Sequence, residues 1–199
     1  MSKEIENLYK IQEVLKKNNY FDISRISKEI QAFSKENDIP LEDIFKRIEL
    51  GEPWEYIAEE AEFCNNKFLV SRDILIPRIE TEDLVDICYK EFSSNKSYLN
   101  IVDIGTGSGC IVISLRKRIG DNDISFIATD ILEGALDIAK KNAKINGVEK
   151  LINFVNTDLV DSIEIKSDTL LVANLPYTPT GMYESLDRSV KEYEPKMAL

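Results

Sequence analysis

The chain has 199 residues, 43% of them hydrophobic, which is enough for one medium domain or for a small domain attached to a larger one. Its 36 acidic and 25 basic residues give a net charge of -11, which disfavours nucleic acid as a partner. Histidine is absent, which excludes a Ser-His-Asp triad and histidine metal sites. The sequence shows neither a leader pattern nor an apolar run long enough to span a membrane, so the chain is expected to be cytoplasmic.

The first part of the chain has the apolar spacing of three amphipathic helices. The apolar positions are Ile5, Leu8, Ile11 and Leu15, then Ile23, Ile26, Ile30 and Phe33, and then Leu41, Ile44, Phe45 and Ile48. Pro40 is suited to open the third helix and Gly51 to close it. Residues 1–55 are therefore predicted to form a small helical bundle. Because its polar faces indicate no chemistry, a plain packing or interaction module remains an alternative role for it.

The composition changes after Trp54, and strand patterns begin. Aromatic and β-branched residues around Asn65-Asn66 predict a hairpin within a linker over residues 56–80. After a helix that begins near Thr81, strands are predicted at 99–104, 124–129, 152–155 and 169–173, with helices at 110–119 and 133–146. Apolar strands that alternate with helices imply a parallel sheet covered on both faces. Residues 81–199 are therefore predicted to form an α/β domain.

Three glycines follow the first strand of this domain, in the loop Gly105-Thr106-Gly107-Ser108-Gly109. Glycine at a turn from strand to helix removes side-chain bulk, so that a ligand can lie against the backbone. A tight turn without a ligand uses the same residues, so the loop alone is a weak signal. Asp130 strengthens it, because a carboxylate at the end of the second strand can accept both hydroxyls of an adenosine ribose.

The loop favours S-adenosylmethionine over a nicotinamide dinucleotide. It departs from the G-x-G-x-x-G pattern, and a cofactor without a pyrophosphate has less need of a phosphate-binding helix terminus. Asp103 can take the ammonium group of this cofactor, directly or through water, or it can organise the loop. Asp158 with Leu159, after the third strand, lies where the adenine edge would rest, although Asp158 can equally cap a turn.

The fourth strand ends in the tetrad Asn174-Leu175-Pro176-Tyr177. Ligands of open α/β sheets bind at the carboxyl ends of strands, so the tetrad faces the same crevice as the glycine loop. An amide nitrogen is a poor nucleophile, and an enzyme that methylates it must hold it in line with the methyl donor and accept its hydrogens. The Asn174 carbonyl oxygen and the Leu175 backbone carbonyl can accept them, while Pro176 stiffens the turn and Tyr177 offers a flat wall. An Asx turn that only leaves the strand is the alternative.

Four motifs occur in order along the chain. They are Gly51-Glu52-Pro53 with Tyr56, Pro77-Arg78-Ile79-Glu80-Thr81-Glu82, the tetrad, and Glu194-Pro195-Lys196-Met197-Ala198-Leu199. They resemble the motifs of the HemK family, the release-factor glutamine methyltransferases. The resemblance implies an α/β, Rossmann-like class I methyltransferase domain over residues 81–199, joined by a β-hairpin at 56–80 to an all-helical domain at 1–55 that helps to hold the release factor.

The resemblance also implies an activity and a partner. The expected reaction transfers a methyl group from S-adenosyl-L-methionine to the side-chain amide of the glutamine in the Gly-Gly-Gln motif of peptide chain release factors, which act in translation termination. Asn174, Leu175, Pro176 and Tyr177 would be the catalytic residues. The cofactor would be bound by Asp103, the loop 105–109, Asp130, Asp158, Leu159 and Asn174.

Two positions depart from the family pattern, because Ile79 and Leu175 stand where the family has proline. Asn-Leu-Pro-Tyr is similar to the tetrad of ribosomal RNA adenine dimethylases, so a nucleic-acid adenine methyltransferase is one alternative. That function would need a basic track beside Tyr177, which this acidic sequence does not display. Only four strands are recognisable where the family sheet has seven. The domain is therefore expected to be incomplete, and a non-catalytic cofactor-binding fragment is the second alternative.

Overall fold

The computed structural model describes residues 2–95 and 97–199, with only the backbone of Thr180. The α-helices are α1 Lys3–Lys17, α2 Ile23–Glu36, α3 Leu41–Glu49, α4 Trp54–Ala58, α5 Glu80–Ser94, α6 Cys110–Ile119, α7 Glu133–Ile145 and α8 Arg188–Tyr193. The strands are β1 Glu60–Phe63, β2 Asn66–Leu69, β3 Asn100–Ile104, β4 Ser125–Asp130, β5 Asn153–Asn156 and β6 Thr169–Ala173. Short 3-10 helices occupy Glu149–Leu151, Thr180–Ser185 and Lys196–Ala198. Within these described ranges, every helix is too short or too polar to cross a membrane.

A helical unit is formed by residues 2–58 together with Glu184–Tyr193. Its core is built from the apolar stripes of the helices, with Ile11, Leu15, Ile26, Ile30, Ile44, Ile48, Trp54 and Ile57 buried. Trp54 closes this core, with its ring edge-on to Phe33 at a centroid distance of 5.4 Å and its indole N–H donating to Glu29 at 2.9 Å. The later segment adds α8, where the Tyr193 hydroxyl donates to the Leu50 carbonyl at 3.3 Å. No sequence pattern predicted that this segment joins the helical unit.

The second unit, Glu59–Tyr183 with Glu194–Leu199, begins with an antiparallel hairpin of β1 and β2. Its two-residue turn is Cys64-Asn65, and both residues have positive φ, +48° and +56°. This is the twist that a tight hairpin turn requires, and it favours asparagine. The hairpin was predicted around Asn65-Asn66, but the structure puts Asn66 in β2, where its side chain donates to the Cys64 carbonyl at 2.7 Å.

The main sheet of this unit is parallel, with the strand order β5-β4-β3-β6. The chain starts in the middle with β3, runs outward through β4 and β5, and then returns to place β6 on the other side of β3. Ile104 stands opposite both Thr129 and Ala173, so these strands end at one edge. The order in which strands are added to the sheet therefore reverses between β3 and β6, although the two strands are parallel. This reversal creates a topological switch point, where open α/β sheets form their ligand crevice. The fold is the predicted α/β, Rossmann-like one.

Candidate functional site

The glycine loop leaves β3 at the switch point. Gly105, Gly107 and Gly109 have φ values of +69°, +54° and +80°, a region in which side chains are strained. Thr106 joins the loop to the next strand, since its N–H donates to the Thr129 carbonyl at 2.8 Å. A Cβ atom on Gly105 would lie 2.8 Å from the Leu175 side chain. The absence of a side chain at Gly105 therefore lets the tetrad lie directly against the loop.

Asp130 ends β4 and holds the loop from the other side. One carboxylate oxygen accepts from the Gly107 N–H and the other from the Leu132 N–H, both at 2.9 Å. The side chain is half-buried and lines the crevice. Because each carboxylate oxygen has about two lone pairs, both keep one acceptor site for a ligand. Asp130 can thus shape the loop and receive two hydroxyl groups together.

Asp103 lies beneath the loop and is completely buried. Its Oδ2 accepts from the Thr106 hydroxyl at 2.7 Å and from the Val112 N–H at 3.3 Å. Burial raises the pKa of this carboxyl to about 6, against the two hydrogen bonds that lower it. Its Oδ1 has no partner among the described residues. These contacts are those of a carboxylate that organises the loop, which was one of the two roles expected of it.

The tetrad follows β6, beside the start of α5. Asn174 donates its side-chain N–H to the Thr81 hydroxyl at 3.3 Å, while its carbonyl oxygen has no hydrogen-bond partner among the described residues. Leu175 is 37% exposed, and Tyr177 is 84% exposed. The tetrad therefore presents an acceptor oxygen at Asn174 and an accessible aromatic ring at Tyr177, while Leu175 lies against the glycine loop.

A cavity of about 150 Å³ brings these features together. Its walls include Gly105, Thr106, Gly107, Ser108, Asp130, Asn174 and Pro176, together with Arg78, Thr81, Met197 and Ala198 from the two flanking motifs. The residues that line it do not include Asp103, Gly109, Leu175 and Tyr177. Cavities for small molecules usually measure about 300–1,000 Å³, so this one encloses part of a nucleoside-sized ligand and leaves the rest exposed.

Asp158 and Leu159 follow β5 and are exposed, outside the walls of this cavity. The preceding residue, Thr157, donates its N–H to the Asp130 carbonyl at 3.1 Å. The pair therefore extends the sheet edge just beyond Asp130. A ligand bound in the cavity would have to extend along this edge to contact Asp158 and Leu159.

A larger cavity, of about 450 Å³, lies between α5, α6 and the hairpin turn. None of the predicted site residues lines it. Its two basic groups are already engaged, since Arg118 pairs with Asp86, and Lys117 donates to Asn66 and Asn146. The smaller cavity, at the switch point, is therefore the candidate site.

Two supporting interactions were not predicted. Arg78 donates to Glu194 at 2.5 Å, and the Glu194 side chain is 1% exposed, so this ion pair joins two of the sequence motifs. Asn142 of α7 is fully buried; it exchanges hydrogen bonds with the backbone of Leu69 at 2.6 and 3.0 Å and donates to the Ser108 carbonyl at 2.8 Å. For the Arg78–Glu194 ion pair, the order of the motifs along the chain was the only indication in the sequence. The contacts of Asn142 had no indication at all, because an asparagine inside a helical pattern predicts no particular partner.

Comparison with known proteins gives a consistent family match. The family model of the methyltransferase small domain matches residues 63–186. The release factor glutamine methyltransferase of Bacteroides thetaiotaomicron is 40% identical over 161 residues, 80% of this chain and 55% of the relative. That of Leptospira interrogans is 41% identical over 151 residues, 75% of this chain and 52% of the relative. That of Flavobacterium psychrophilum is 35% identical over 204 residues, 99% of this chain and 68% of the relative.

The chain spans about half the length of most of these relatives. Among solved structures, the N-terminal domain of human METTL16 in complex with SAH is 26% identical, with a TM-score of 0.41. This match covers 55% of this chain and 46% of that one.

Proposed function

The chain belongs to the methyltransferase small-domain family and, within it, to the release factor glutamine methyltransferases, and on that premise we propose that it methylates a release factor. The methyl group would pass from S-adenosyl-L-methionine to the side-chain amide nitrogen of the glutamine in a Gly-Gly-Gln motif. The observation that carries the proposal is that Asn174, whose carbonyl oxygen has no hydrogen-bond partner among the described residues, lines the same cavity as the glycine loop and Asp130. The proposal places the protein in the cytoplasm, where release factors act.

The hydrogen-bonding groups of the crevice fit this cofactor. Asp130 has acceptor sites for two ribose hydroxyls, and the glycines leave the backbone open to a ligand. Asp103 lies beneath the loop, and its Oδ1, which has no partner among the described residues, would serve as an acceptor for the ammonium group directly or through a water molecule. Asp158 and Leu159 would lie beside an adenine that extends beyond Asp130. When bound, S-adenosyl-L-methionine supplies a methyl group on a positively charged sulfur.

The residues of the chain then act on the glutamine amide. Its nitrogen lone pair is delocalised into its own carbonyl, so the amide must be held in line and its hydrogens accepted as positive charge develops on nitrogen. The Asn174 carbonyl oxygen and the Leu175 backbone carbonyl are acceptors of this kind. Neutral carbonyl dipoles stabilise that charge without a strong base, and the excess proton can then leave to water. The exposed ring of Tyr177 provides a flat surface for the planar amide.

The test incubates the chain with methyl-labelled S-adenosyl-L-methionine and a release factor, with the matching Gln→Glu release factor as control. We expect label on the first protein only. Asn174→Ala should abolish transfer and spare cofactor affinity, because the carbonyl oxygen acts mainly in the transition state. Binding of cofactor without any transfer would instead favour a cofactor-binding fragment.

The resemblance of Asn174-Leu175-Pro176-Tyr177 to RNA adenine dimethylases supports one second candidate, an adenine methyltransferase. An exposed Tyr177 ring can stack on a base as well as on an amide. The net charge of -11 opposes this candidate, because nucleic acid binding depends on phosphate neutralisation. An RNA sample in the same labelling experiment decides between them.

A further inference from the structure

We infer that Thr81 is a positioning residue, which holds the side-chain amide of Asn174 in the arrangement that leaves its carbonyl oxygen for the substrate. The inference rests on the proposed function for its consequence in catalysis, but its structural content is independent of that function. Thr81 is 9% exposed, lines the same cavity as Asn174 and accepts the Asn174 side-chain N–H at 3.3 Å.

The orientation matters because the two ends of an asparagine amide are opposite in hydrogen bonding. The carbonyl end accepts and the NH₂ end donates, and the two have nearly the same shape. Facing a substrate amide, the carbonyl oxygen attracts the N–H groups, whereas a reversed side chain would set N–H against N–H. In the structure the Thr81 hydroxyl accepts from the NH₂ group on the far side, so the carbonyl oxygen is left for the substrate before substrate arrives.

Thr81 is held firmly enough to act in this way. It lies in the first turn of α5, where its own N–H donates to the Arg78 carbonyl at 3.0 Å. The residues around it are anchored separately: Arg78 pairs with buried Glu194, and Glu82 accepts the Cys64 N–H at 2.7 Å. One short motif is thus tied to the hairpin, to the 194–199 segment and, through Thr81, to the tetrad. Because this motif is anchored at two other points, Thr81 can hold the Asn174 side chain in place rather than follow it.

The experiment compares Thr81→Val, which keeps the shape and removes the hydroxyl, with Thr81→Ser, which keeps the hydroxyl. Ser93→Ala, an exposed hydroxyl removed from the same helix, is the control. For the valine variant we expect kcat for methyl transfer to fall roughly tenfold, the effect of losing one hydrogen bond, with cofactor Kd unchanged. Serine should restore most of this loss. A serine variant as slow as the valine variant would overturn the inference.

A second readout does not depend on activity. In the chain labelled with ¹⁵N-asparagine, the side-chain NH₂ resonance of Asn174 is assigned by its loss in Asn174→Asp. We expect this resonance to shift and its exchange with solvent to accelerate in Thr81→Val, and to change little in Thr81→Ser or Ser93→Ala. An unchanged resonance in Thr81→Val would sink the inference. A wild-type chain that methylates nothing would count against the proposed function alone, and the resonance would still decide the role of Thr81.

Discussion

At the scale of single residues, Asp130 shapes the glycine loop through Gly107 and is the proposed acceptor for the ribose hydroxyls. Replacing it by alanine removes both contacts. We predict that Asp130→Ala weakens binding of S-adenosyl-L-methionine by about 1 to 3 kcal/mol, the scale of charge-assisted hydrogen bonds. Calorimetric titration measures it, with Asp137→Ala as the comparison, since Asp137 is exposed on α7 and is not among the residues that line the cavity. Equal affinity of Asp130→Ala and the unmodified chain would mean that the ribose is held elsewhere.

Asp103 makes stability depend on pH. Burial raises the pKa of its carboxyl to about 6 from 3.8, so the folded chain binds this proton more tightly than the unfolded chain does. The stabilisation is complete below about pH 4 and is lost as pH rises through 6. Relative to Asp103→Asn, which does not titrate, the unmodified chain should lose about 2 to 3 kcal/mol of unfolding free energy between pH 4 and pH 7.5.

Urea denaturation of both proteins at the two pH values measures this difference. The comparison removes the contribution of other titrating groups, because they are shared. A difference between the two proteins that does not change with pH would show that the Asp103 pKa is not raised in the folded state.

At the scale of elements, Asn142 connects three of them. It lies on α7, satisfies both backbone groups of Leu69 in β2, and supports the glycine loop at Ser108. Asn142→Ala leaves these buried groups without partners, so we predict a loss of about 2 to 4 kcal/mol in unfolding free energy. Asn146→Ala, at the more exposed end of the same helix, should cost about 1 kcal/mol or less. Denaturant titration of the two variants compares them, and equal losses would contradict the role given to Asn142.

The elements themselves were largely predictable from local patterns. The helix at 110–119 and the strand at 169–173 have the predicted bounds, β3 begins one residue later than predicted, and β4 is shifted by one residue at both ends. Apolar periodicity and glycine positions carry this information within a few residues. The Arg78–Glu194 and Thr81–Asn174 contacts join positions 116 and 93 residues apart, so local patterns cannot reveal them. The motifs of the candidate site were predictable from the sequence, whereas the hydrogen bonds and the ion pair that join them were not.

At the scale of the whole molecule, β6 has consequences for solution behaviour. Among the described strands it pairs only with β3, and Leu171 on it is 47% exposed. An apolar strand with an unpaired edge is a template for pairing with another chain. We therefore predict self-association that increases with concentration, and that Leu171→Lys reduces it because a charge on an edge strand opposes pairing. Sedimentation velocity at several concentrations tests this, and a monodisperse unmodified chain would refute it.

The helical unit is assembled from two stretches of chain, residues 2–58 and 184–193, and the second is inserted between Tyr183 and Glu194 of the other unit. This arrangement limits modularity. A gene fragment encoding residues 1–58 alone would lack α8 and the hydrogen bond from Tyr193 to Leu50. A swap of helical units between homologues must therefore exchange both stretches together, and recombination at a single crossover point would leave each hybrid with a helical unit drawn from two parents.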